Sequence, residues 1–177
     1  MVIAVNGVID WIRGATHWFT LDPSDENRRR WSQPKDGVCY CAAVDAQDLI
    51  PEYIDRYLRI RGKRPEPAEK YTPEWWLWRW EGALGMNRCV GHINTGNSAW
   101  GALQLARKLG ARRAILVGVD ASNEPRIEGG NPNNLSHLPL LFESGLDTPG
   151  FEFVNCGAMR SRVPQMTIDE GIQWLMR

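Results

Sequence analysis

Residues 94–120 constrain the fold more than any other stretch of the chain. Asn94-Thr95-Gly96-Asn97-Ser98 is a cluster of turn formers. It opens a segment in which Ala99, Ala102, Leu103, Leu105, Ala106 and Leu109 recur at helical spacing, so an amphipathic helix is expected there. Gly110 is a suitable C-terminal stop. Arg112-Arg113 then leads into the apolar run 114–119, which ends at Asp120. Loop, helix, tight turn and buried strand, in that order, form the αβ half of a parallel-sheet unit.

The flanking segments extend this pattern. Strands are expected over 2–6, ending at Asn6-Gly7, over 17–21, closed by Asp22-Pro23-Ser24, and over 37–44. Short helices are expected through Ile9–Arg13 and over 25–32. Residues 46–60 read as a helix with Leu49, Tyr53, Ile54, Tyr57 and Leu58 on one side. Residues 61–70 are charged, hold two prolines and have no apolar period, which reads as an exposed loop. A polar loop is expected over 121–134, a helix from His137 to Phe142, a strand over 151–155 and a closing helix from Thr167 to Met176. Thr167 stands at the N-cap of that last helix and Glu170 at the capping-box position. The whole is expected to be one α/β domain, a layered sandwich with a mostly parallel sheet, carrying a tryptophan-rich insertion or lid around 61–92.

With 177 residues the chain is long enough for one real core. Its 21 basic and 21 acidic side chains cancel, which argues against a globally basic DNA or RNA binder. It has no apolar run of about 18 residues, so no membrane span is expected. Its first residues lack the basic region and cleavage site of a signal peptide, so the expected compartment is the cytoplasm. Cys39, Cys41, Cys89 and Cys156 match no zinc spacing, and Cys39 and Cys41 read as small buried side chains on one strand face. Nine tryptophans are unusual, and Trp75, Trp76, Trp78 and Trp80 fall within six residues. Such a cluster can be core, a self-association surface, or a stacking wall for a planar ring.

Ligands of parallel sheets bind beyond the carboxyl ends of the strands. The candidates are therefore Asn6 and Gly7, Asp22 and Ser24, Asp45, Asp120 to Asn123, and Asn155. Thr95-Gly96-Asn97-Ser98 opens a helix, where unpartnered N–H groups and the dipole favour an anion; the same residues also suit plain capping. It lacks the P-loop and GxGxxG patterns. The Asn6 side-chain amide could read a base or ribose edge. His137, entering a helix from a polar loop, is the best-placed histidine for acid–base work. His17 reads as structural, and His92, just before the Thr95 loop, could touch a ligand. Asp22 and Asp120 could hold a magnesium ion bridging to phosphate, or simply cap turns. Arg160, Ser161 and Arg162 place two guanidiniums after the last strand, where a phosphate would suit them.

The strand ending in Asn-Gly, then WFTLDPS, NTGNSAWGALQLARKLGARRAILVGVD and FVNCGAMRSRVPQMTIDEGI, resembles the Rossmann-like group of family-42 sialyltransferases and the DUF115 (MptE-like) pterin pyrophosphokinases. Small phage proteins of the same pattern are similar too, which would place the chain in a host cytoplasm. The resemblance implies a Rossmann-like three-layer sandwich and a nucleotide or nucleotide-sugar ligand. By position it implies binding through Asn6, Gly7, Thr95, Gly96 and Ser98, with His137 as general base. The pterin kinases imply ATP with magnesium, for which Asp22 and Asp120 are the acidic residues at hand. The lid is short, and the tyrosines that clamp phosphate in the sialyltransferases have no counterpart.

Three functions follow. The first is a transferase acting on a nucleotide-activated donor. The second is a protein that sequesters a nucleotide signal without turnover. The third is a phage assembly protein with a vestigial pocket, in which the tryptophans form a homo-oligomer interface.

Overall fold

The computed structural model describes residues 1–45, 49–122 and 134–177. The chain is an α/β, Rossmann-like fold, and every strand pairing among the described residues is parallel. β1 (Ile3–Val5), β2 (His17–Thr20), β3 (Cys39–Ala42) and β4 (Asp55–Arg56) form one sheet in that order. Its register sets Ala4 beside Trp18 and Trp18 beside Tyr40. β5 (Leu58–Ile60) pairs with β6 (His92–Asn94), and β7 (Arg113–Leu116) with β8 (Glu152–Asn155). Only Tyr57 separates β4 from β5. Its N–H donates to Ala42 at 2.9 Å, and the N–H of Leu58 donates to Gly91 at 2.7 Å. The 55–60 stretch thus joins β3 on one side to β6 on the other.

Strand alternation sorts the first sheet's side chains onto two faces. Ala4, Trp18, Tyr40, Ala42 and Val44 share one cluster with Ile9 and Trp31, the latter on α1 (Asp25–Ser32). Their neighbours Phe19, Leu21, Cys41 and Ala43 share another with Ala102 and Leu105 of α3 (Ser98–Lys108). The opposite side of α3 offers Trp100 and Leu103. They pack with Leu77 of α2 (Pro73–Arg79), Leu141 and Phe142 of α4 (Leu138–Glu143), and Leu116 and Phe153 of β7 and β8. The expected amphipathic helix is therefore buried nearly all round. Its one buried amide is satisfied. Gln104 Oε1 accepts from the Asn94 N–H at 3.0 Å, and Gln104 Nε2 donates to the Asn94 carbonyl at 3.2 Å. α3 approaches the sheet closely at Gly101, where a Cβ would lie 2.5 Å from the Phe19 ring.

Most expected elements form. The closing helix, α5 (Ile168–Leu175), has the anticipated capping box of Thr167 and Glu170. Four expectations need correction. The helix proposed for 46–60 is absent over its described part, because 55–60 pairs with β3 and β6; tertiary pairing overrides a helical spacing that Pro51 already weakens. Residues 46–48 lie outside the described residues. The first short helix is a 3₁₀ turn over Asn6–Asp10. The strand after α3 ends at Leu116, and Val117 is exposed. Cys39 is exposed while Cys41 is buried, since Cys39 opens its strand at the rim of the sheet. The expected loop over 121–134 lies mostly outside the described residues. No described helix is long and apolar enough to cross a membrane.

Candidate ligand cleft

The carboxyl ends of β1, β2 and β6 meet the N-terminus of α3 around an open hollow of about 380 Å³. Asn6, Asp22, Gly96, Asn97, Ser98 and His137 line it, joined by Leu21, Pro23, Arg59, Trp80 and Leu135. Parallel strands deliver their following loops to one edge, which brings together residues as far apart in the chain as Asn6 and His137.

Local order is fixed by hydrogen bonds beneath the hollow. Asn6 leaves β1 with φ +50°, a left-handed conformation that asparagine tolerates better than most side chains. Asn6, and not Gly7, therefore makes the turn. Its Oδ1 accepts from the Thr20 hydroxyl at 2.7 Å and from Asn27 Nδ2 at 3.4 Å. Its Nδ2 has no partner among the described residues. The buried Asn27 amide also donates to the Asp22 carbonyl at 2.9 Å. Asp22 Oδ1 accepts from the Ser24 N–H at 3.1 Å, an Asx turn that presents the rest of the carboxylate outward.

The start of α3 is built for two tasks at once. Asn97 is its N-cap and accepts the Ala99 N–H at 2.7 Å. Ser98 Oγ accepts the Leu21 N–H at 3.2 Å and ties the helix to the end of β2. First-turn N–H groups beyond the cap still lack helical partners. Gly96 sits at φ +131°, a conformation that side chains rarely adopt, and a Cβ there would also lie 3.1 Å from the Gly82 Cα, so the fold itself calls for glycine.

His137 is 1% exposed. Its Nε2 lies 3.1 Å from the Gly96 carbonyl, so Nε2 carries the proton and donates it. Nδ1 is then an acceptor, buried and without a partner among the described residues. Burial holds the imidazole below its ordinary pKa, and the Gly96 carbonyl opposes this less strongly. The ring is thus neutral at pH 7, and the residue lines the hollow.

Arg59 is the cation of the hollow. Nη1 donates to the Leu21 carbonyl and to Asp45 Oδ2, both at 3.3 Å, while Nε is buried and has no partner among the described residues. Burial lowers its pKa, Asp45 raises it again, and a guanidinium stays charged throughout. Trp80 is 42% exposed and is backed by Trp76, whose ring lies 6.5 Å away at 20°.

The remaining expected residues fall elsewhere. Thr95 is fully buried, its hydroxyl donated to the Glu81 carbonyl; it supports the loop from below and does not reach the hollow. Gly7 is buried in the 3₁₀ turn. Ser24 lies outside the lining, as the N-cap residue of α1. Asp120 accepts the Ala158 N–H at 2.7 Å. Asn155 is buried, donates to Gly157 at 3.1 Å and leaves Oδ1 unpartnered. Ser161 Oγ accepts the Val163 N–H at 3.2 Å, and Arg160 is exposed. These four follow β7 and β8, which among the described residues pair only with each other, and none of the four lines the hollow; the chain after β7 reaches it further on, at Leu135 and His137. Asp22 and Asp120 are therefore split between two places. Among the described residues no three His, Cys, Asp or Glu side chains gather as a metal would need. His92 opens β6 at its amino end and contacts the Val90 carbonyl at 2.8 Å, away from the cleft. Asn123 lies outside the described residues.

Sequence reasoning missed Arg59 because its stretch looked helical. Read as a strand, 58–60 would have carried Arg59 to the same edge. Trp80 was one of a flagged cluster, and its exposure selects it from the others. Comparison with family models, with curated proteins and with solved structures finds no match.

Proposed function

We propose that this cleft binds a nucleotide or a small molecule derived from one. One observation carries the reading: the N-terminus of α3, the Arg59 guanidinium and the exposed Trp80 indole converge on a single open hollow. A phosphate would accept from the α3 N–H groups and from Arg59 Nε, which would satisfy a buried donor that otherwise has no partner. The exposed indole of Trp80 gives a planar ring a face to stack on. Asn6 Nδ2 and the outward Asp22 oxygen offer a donor and an acceptor to a ribose or base edge. Such ligands are cytoplasmic, and the reading assigns the chain to that compartment.

The lone pair on His137 Nδ1 favours transfer as a second reading. It could take the proton of an acceptor hydroxyl while the new bond to the donor group forms and the nucleotide phosphate leaves with the old bonding pair. This reading retains the kinship to family-42 sialyltransferases and DUF115 proteins as a proposal.

Thermal denaturation against nucleoside monophosphates, diphosphates and sugar nucleotides tests binding. A ligand at 100 times its Kd adds about 2.7 kcal/mol, a rise of about 5–10 °C for a chain of this size. Arg59→Gln should weaken that ligand about tenfold. If no member of the panel moves the transition, the nucleotide reading is wrong. Mass spectrometry of the recovered ligand separates the two readings. Unchanged return means binding alone, whereas consumption that His137→Gln abolishes means transfer.

A further inference from the structure

A second hollow, of about 450 Å³, adjoins the first. Arg59, Arg61, Trp78, Arg79, Trp80 and Glu81 line it. Arg59 and Trp80 line both hollows and so stand between them. Each hollow alone falls within the size that holds one small molecule. Each also has its own anion-attracting group and its own indole. The first has the α3 N-terminus and one side of Trp80. The second has Arg61, Arg79 and Trp78.

The charges of the second hollow do not cancel. Arg61 forms ion pairs with Asp45 and Glu81, and Arg59 pairs with Asp45 at 3.3 Å. Two guanidiniums thus share two carboxylates, and the third, on Arg79, exposed at the end of α2, has no ion pair among the described residues. Glu81, which holds Arg61, sits at φ +49°. A non-glycine side chain held left-handed by its surroundings is strained, and Asn6 in the first hollow is held the same way.

We propose that the ligand consists of two nucleotide units, one in each hollow, joined across Arg59. This rests on the nucleotide reading of the first hollow and deepens it. One phosphate lies at the start of α3 and the other at Arg61 and Arg79. The second ring lies against Trp78.

Calorimetric titration of the full chain tests this with the four nucleoside 5′-monophosphates and the four 5′-phosphorylated dinucleotides of matching base. A second stacked base and a second phosphate should make the dinucleotide about tenfold tighter than its monophosphate, or more. Arg79→Gln, and more strongly Arg79→Glu, should remove that advantage. Both are surface changes at a helix end and leave the first hollow intact, so monophosphate affinity should hold. Dinucleotide and monophosphate binding within about threefold of each other overturn the proposal and leave the nucleotide site standing. So does a dinucleotide advantage that survives both substitutions, or an equal loss for both ligands. Failure of every member of both sets to bind overturns the nucleotide reading as well.

Discussion

Replacing His137 with Gln tests the buried histidine through its protonation. The folded protein keeps the imidazole neutral because burial disfavours its charged form, with its Nε2–H spent on Gly96. The unfolded chain frees it to titrate near pH 6.5. Below that pH the unfolded state binds a proton that the folded state refuses. The associated stability is thus fully present above about pH 6.5 and is lost as pH falls toward the depressed folded value. The limiting slope for one proton is about 1.4 kcal/mol per pH unit, or about 3–6 °C in Tm for a chain of this size. Gln can still donate to the Gly96 carbonyl but cannot titrate. Urea unfolding of both proteins from pH 8 to pH 5, plotted as a difference, removes the contributions of His17 and His92, which both chains share. The difference should be flat above about pH 6.5 and should fall, to the native chain's cost, below it. A flat line across the whole range, or a rise on acidification, would refute the claim that His137 is buried and neutral.

Two further outcomes check the core. Gly101→Ala adds a Cβ 2.5 Å from the Phe19 ring and 3.3 Å from Ile93, so overpacking should cost about 1–3 kcal/mol in chemical denaturation. Unchanged stability would mean that α3 does not press on β2 as described. The Cys41 thiol is pushed up to about 12, first by burial and then by the Asp55 carboxylate. Alkylation of the native protein at pH 8 should label Cys39 and Cys89 and spare Cys41, read by peptide mass spectrometry. Labelling of Cys41 at the rate of Cys39 would contradict its burial.

Local chemistry alone determined a good part of this protein. Helical spacing from Ala99 to Leu109, the Thr167–Glu170 capping box and the apolar strand runs each depend on contacts within a few residues, and each appears in the structure. The edge that carries the hollow was legible as well, because loops after parallel strands emerge on one side; Asn6, Asp22 and Gly96 to Ser98 meet there, and His137 joins them from the longer connection after β7. Tertiary structure decided the rest. Whether 55–60 is helix or strand depends on partners at Ala42 and Gly91 that no local pattern reveals, and with it went Arg59. Thr95 and Ser98 carry similar hydroxyls three residues apart. Which of them faces the cleft depends on where the Glu81 carbonyl lies. His137 enters a helix from a polar loop, and nothing local reveals that it is buried against the Gly96 carbonyl. Asp120, Asn155, Arg160 and Ser161 follow strands as the topological rule requires, yet none of them lines the hollow, whereas His137, further along the chain after β7, does. A period in the sequence states which side of an element is apolar. It does not state which neighbour covers that side, since burial depends on residues distant along the chain.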